Sequence, residues 1–125
     1  MEKFRELADE LLRMPEEVKN LQLELLNYSE QAQEVLNKTQ ALESVIKSEI
    51  DAEIGENGKK LYSNDTARKA AFMEMSDSNE ELHNRKEEYN AIQKVVSEYK
   101  MDIEELSNQQ RNIRSVLDFI GKVGE

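Results

Sequence analysis

Few side chains in this sequence have the types and spacing that chemistry requires, and they fall in three places. Glu49, Asp51, Glu53 and Glu56 gather oxygen donors of the kind a hard divalent cation prefers. The order of a calcium loop, with acids, a central glycine and a glutamate at the twelfth position, is missing, so the run reads as a solvated helix end. His83 is the only histidine, with Glu80 and Glu87 one helical turn away. On a charged helix such neighbours are ordinary surface pairs, and no second histidine completes a metal site. The third place is basic. Lys59, Lys60, Arg68 and Lys69 bring four cations into eleven residues, beside Asp65, Tyr62 and Phe72.

The rest of the chain excludes more than it offers. It has no cysteine, which removes disulfides, thiol catalysis and thiolate metal sites. Phosphate-cradling loops, nucleophile elbows and dinucleotide fingerprints are absent, and the four glycines form no glycine-rich loop. The expectation is a protein that is not an enzyme and uses no cofactor or metal. Its net charge of −10 opposes broad contact with phosphate backbones and with anionic membrane surfaces. The same charge suits a basic protein partner or mimicry of a nucleic acid. No run approaches the roughly 18 apolar residues of a membrane span. The opening MEKFRELADELLRM carries acids throughout and does not read as a signal peptide. A cytoplasmic location is therefore expected.

Charged residues make up 35% of the chain and aromatics 6%, so any core is a thin stripe between helices. Phe4, Leu7, Leu11, Met14, Val18, Leu21, Leu25, Tyr28, Ala32, Val35, Thr39, Leu42 and Ile46 recur at alternate spacings of three and four. All but Thr39 are apolar. This 3.5-residue period is the coiled-coil signature. Past Ile46 the stripe steps through Ile50 and Ile54, which resembles a stutter. Pro15 leaves the phase intact. It predicts a short helix over 2–13 followed by a long helix over 15–54, with one kinked helix as the alternative.

Glycine and asparagine then interrupt the pattern. Gly55 suits a left-handed helix end, and Asn57-Gly58 is a turn pair. Ser63 or Asn64 can cap a short helix over 64–75, and Asp77 with Glu80 or Ser78 with Glu81 can open the next one. From Leu82 the period resumes through Tyr89, Ile92, Val96, Tyr99, Ile103, Leu106, Ile113, Leu117 and Ile120, with Arg85 and Gln110 as polar exceptions. This second long helix is placed at 79–120.

Neither stripe can bury its face alone. The expected fold is all-α: a single elongated helical domain over 1–125, built as a long antiparallel coiled-coil hairpin. Residues 55–78 form its tip. If the chain turns near 66–68, positions summing to about 133 face each other. Pairing of the stripes between chains, and a homodimer of hairpins, stay open as alternatives. Phe72, Met73 and Met75 form a soft apolar spot near the tip, read chiefly as packing for the short helix.

The segment GKKLYSNDTARKAA resembles a family of small phage and prophage proteins that join a long acidic helix, a G-K-x-x-Y-S-N-x-x-x-R-x-A segment and a second helix. Gly58, Lys59, Tyr62, Ser63, Asn64, Arg68 and Ala70 carry the likeness, within a match from Glu49 to Leu106. Such proteins are commonly encoded among phage early genes, near single-strand annealing and single-strand-binding proteins. The resemblance implies an accessory of DNA metabolism in a bacterial host's cytoplasm, with no catalytic residues to carry over.

Three functions are compatible with these readings. The first is a protein-binding coiled-coil accessory in DNA recombination or replication. Its partner, a phage or host DNA-metabolism protein, would bind the tip residues Lys59, Lys60, Tyr62, Ser63, Asn64, Arg68 and Lys69. Direct nucleic-acid binding there is disfavoured by the surrounding acidic field. The second is an acidic inhibitor of a host nuclease or antiviral defence protein. The third is a structural spacer.

Overall fold

The computed structural model describes residues 2–124. Three helices account for most of them: α1 over Glu2–Ala52, α2 over Asp65–Ser78 and α3 over Glu80–Gly124. Contacts gather into two units, one formed by Met1–Ser29 with Gln93–Glu125 and the other by Glu30–Ile92. The outermost positions of the expected domain, 1 and 125, lie outside the described residues.

In the first unit the start of α1 meets the end of α3. Phe4 and Leu7 share a groove with Val116 and Ile120, and Tyr28 stacks on Tyr99. The helices therefore run antiparallel, as in a helical hairpin. Met14, Val96 and Ile113 are buried there, whereas Leu7, Val18, Leu21, Leu25, Ile103 and Leu106 are only half-buried. Two helices leave one side of a heptad seam open to water, which accounts for the difference. In the second unit Ile46 and Ile50 of α1, Ala71 of α2 and Leu82 of α3 form a buried cluster, with Leu42, Tyr62, Phe72 and Met75 packed around it.

Pro15 does not break the first helix, contrary to the expected division at residues 13–15; α1 is continuous through it. Pro15 is exposed while its neighbour Met14 is 2% exposed. Pro15 leaves the Leu11 carbonyl without its helical donor, and the unchanged stripe offsets that loss by keeping both halves packed on one face.

The end of α1 also differs from expectation. Helix α1 stops at Ala52, and Gly58 rather than Gly55 takes the left-handed conformation, with φ at 75°. Residues 53–61 form a small hairpin instead. Leu61 N–H donates to the Glu53 carbonyl at 2.9 Å, Gly55 N–H to Lys59 at 2.8 Å, and Gly58 N–H to Gly55 at 3.0 Å. An isolated antiparallel bridge joins Ile54 and Lys60. This is the three-residue loop that closes with a left-handed glycine. The Asn57 side chain supports it by accepting Lys59 N–H at 3.1 Å.

Helix α2 runs on to Ser78, past the expected 75, and one residue separates it from α3. That residue, Asn79, ends α2 in an extended conformation and caps α3, its Oδ1 accepting Leu82 N–H at 2.9 Å. Neither expected capping box is used, because the longer α2 has absorbed Asp77 and Ser78. At the far end α3 continues through Gly121 to Gly124, beyond the expected 120. A glycine inside a helix costs about 1 kcal/mol relative to alanine, too little to end a helix by itself.

Candidate functional site

Helix α2 is positioned at both ends by side-chain chemistry. Asn64 is its N-cap, with Oδ1 accepting Ala67 N–H at 2.8 Å. Arg68 reaches back from the first turns, donating to the Tyr62 carbonyl at 3.4 Å and pairing with Asp65. At the other end His83 of α3 donates from Nε2 to the Asp77 carbonyl at 2.8 Å. His83 is therefore a clasp between α2 and α3, and among the described residues neither Glu80 nor Glu87 pairs with it.

Once fixed, α2 turns Asp65, Arg68, Lys69, Phe72 and Met73 toward Lys47, Ile50 and Asp51 of α1. These residues line an open groove of about 530 Å³. Ile50 and Phe72 make its apolar floor, and Met73 is 66% exposed at its edge. Lys47 Nζ lies 5.1 Å from the centre of the Phe72 ring, a cation–π contact that anchors the lysine stem across the floor. The rim carries Lys47, Arg68 and Lys69 against Asp51 and Asp65, of which Asp65 is already paired with Arg68. An apolar floor between cations suits a segment that offers an apolar anchor flanked by carboxylates.

The tip residues named from sequence divide into two sets. Tyr62, Asn64 and Arg68 build the tip: one packs on the cluster, one caps α2, and one ties its first turn back to the chain before it. Ser63 is exposed beside the cap. Lys59, Lys60 and Lys69 are exposed, and among the described residues none of them has an acidic partner within ion-pair distance. Lys59 and Lys60 stand on the hairpin, while only Arg68 and Lys69 reach the groove.

Lys47, Ile50 and Asp51 were missed as parts of this site. The signal was available on α2, where residues 65, 68, 69, 72 and 73 follow the i, i+3, i+4, i+7, i+8 pattern of one helix face. Counting charge along the chain hides that face, and nothing local announces its partner on α1. The soft apolar spot is also resolved: Phe72 and Met75 pack on the cluster as expected, and Met73 stays in water.

Among the described residues no three His, Asp or Glu side chains converge in a way that could hold a metal ion. Among the described residues no helix is long and apolar enough to cross a membrane. None of the family models, curated proteins or solved structures compared with this chain matches it. The motif positions therefore speak through their geometry alone. Gly58, Tyr62, Asn64 and Arg68 supply a left-handed turn, a packing aromatic, a helix cap and a tie, which are the parts needed to build this tip.

Proposed function

We propose that the protein is a non-enzymatic binding module that docks an acidic, partly apolar segment of a partner protein at the second unit. The observation that carries the reading is the meeting of Lys47 with Arg68 and Lys69, from two helices, over the Ile50–Phe72 floor. The exposed Lys59 and Lys60 extend the positive charge onto the hairpin. Placing the module in phage-type DNA recombination or replication rests on the likeness carried by Gly58, Lys59, Tyr62, Ser63, Asn64, Arg68 and Ala70.

The test uses purified single-strand annealing and single-strand-binding proteins as candidate partners. Arg68 is left alone because its loss would loosen α2. Two reversals are compared: Lys47→Glu with Lys69→Glu in the groove, and Lys59→Glu with Lys60→Glu on the hairpin. Binding is expected to fall at least about tenfold in the groove variant and to weaken with salt. Partner binding unchanged in both variants sinks the proposal. A partner retained by both but displaced by DNA supports the acidic-inhibitor alternative.

A further inference from the structure

We propose that the open flank of the α1–α3 seam in the first unit is a docking groove for a basic amphipathic helix of a partner protein. This site is separate from the tip and does not depend on the tip's role.

The groove lies between Glu17 and Glu24 and is floored by Leu21, Tyr99 and Leu106, with the exposed Leu23 at its edge and a volume of about 720 Å³. Its acids follow a rule. Glu10, Glu17 and Glu24 recur every seven residues, each directly before a stripe residue (Leu11, Val18, Leu25), so they line one flank of α1. Asp102, directly before Ile103, is the equivalent position on α3. Tyr99 senses both helices' acids: burial first, then Glu24, with Tyr28 and Asp102 adding, push its phenol above the ordinary value of 10.0. Among the described residues no cation pairs with Glu10, Glu17, Glu24 or Asp102.

Apolar surface continues along the same flank. Lys3 and Val116 hold the corresponding positions nearer the chain ends, and they border a second groove of about 480 Å³ with Phe4, Leu7 and Ile120. Val116, Phe119, Ile120 and Val123 are 44%, 68%, 37% and 70% exposed at the spacing of one helix face. The flank thus offers a half-open apolar track with regularly spaced carboxylates at its rim.

Charge selects the occupant. A helix laid into the track would bury an apolar stripe and set its own flanking side chains against the acids, the helix-in-groove mode of recognition. Lysine or arginine at those flanking positions is complementary. A second copy of this chain is not, because two-fold pairing through this face would set Glu17, Glu24 and Asp102 against the same acids.

The probes are three synthetic peptides of about 21 residues, roughly 30 Å as a helix. One has leucine at two core positions of each heptad and lysine elsewhere. The second has glutamate in place of lysine, and the third has the lysine composition in scrambled order. Calorimetry is expected to show the first binding wild-type protein at least about tenfold more tightly than the other two. Glu17→Lys with Glu24→Lys should weaken that binding about tenfold or more, and Leu23→Ser should also weaken it. All three residues are exposed, so the fold should persist, as circular dichroism would verify. Glu49→Lys with Glu74→Lys makes the same charge change in the other unit and should leave binding intact. Failure of the wild type to bind, equal binding of the scrambled peptide, or equal loss in the Glu49/Glu74 variant overturns the proposal. A dimer in sedimentation that excludes the peptide would also overturn it, assigning the flank to a second copy.

Discussion

Tyr28 of α1 stacks on Tyr99 of α3, with ring centroids 5.5 Å apart and planes inclined by 25°. This contact fixes the register of the first unit. Counting outward from a turn at 66–68 would set Tyr28 opposite Glu105, six residues or about 9 Å of helix further along α3. Chain counting assumes that both helices leave the tip level, whereas the register is set by which side chains pack. Removing either ring should expose the importance of the pair. Tyr28→Ala and Tyr99→Ala should each destabilise the protein, and a double-mutant cycle should give a coupling of about 0.5–1.5 kcal/mol. Denaturant unfolding measures it; additive losses would mean that the stack contributes only buried area.

The acidic surroundings of Tyr99 predict a pH effect with a definite sign. Its folded-state pKa is raised, by burial first and then by Glu24, so folding favours the neutral phenol. The associated stability should be present below the unfolded value of 10.0 and lost as pH rises through the higher folded value. Ultraviolet titration should show a late-ionising tyrosine whose signal disappears in Tyr99→Phe. Glu24→Gln should bring its titration earlier, and an unmoved curve would remove the carboxylate from the account.

Two glycines of the tip hairpin should behave differently. Gly58→Ala forces a Cβ onto a left-handed residue and should cost about 1–2 kcal/mol, although nothing lies within 4 Å of that Cβ. At Gly55 the added Cβ meets only ordinary contacts, at 3.4 Å from Asn57 Oδ1 and beyond, and no left-handed backbone. Gly55→Ala should therefore be nearly neutral. Thermal melts of the two variants make the comparison, and equal losses would refute the hairpin geometry.

Buried hydroxyls offer a similar contrast. Ser76 is 8% exposed, and its Oγ is buried without a hydrogen-bond partner among the described residues. Ser76→Ala should stabilise the protein by about 1 kcal/mol by removing that desolvated group. Thr39 is 5% exposed, but its Oγ1 donates to the Val35 carbonyl at 2.9 Å within the same helix. Thr39→Val should change stability less than Ser76→Ala raises it. It should also leave the oligomeric state unchanged in sedimentation, since the hydroxyl donates within its own helix.

Much of the candidate site was legible as parts. A cap at Ser63 or Asn64, the Asn57-Gly58 turn and the exposed lysines all follow from short-range chemistry, and the structure selects Asn64. Arg68 was legible as a charge but not as a tie, because its acceptor is a backbone carbonyl with no signature in sequence. His83 misled for the same reason: glutamates one turn away are visible, and the Asp77 carbonyl is not. Pro15 misled because its helix-breaking tendency is local, while the packing of Met14 and the stripe that overrides it is not.

The sequence by itself determined a helical chain, its apolar stripes, a cap at Ser63 or Asn64 and the turn at Asn57-Gly58. Each depends on residues within about one or two turns of one another, where the 3.5-residue period and the demands of a cap leave little choice. Only the tertiary structure decided that Tyr28 meets Tyr99, and that Phe72 carries Lys47 across a groove. Those choices join residues far apart in the chain. They are settled by which apolar surfaces bury one another, and a stripe that repeats every heptad would accept several registers until specific side chains select one.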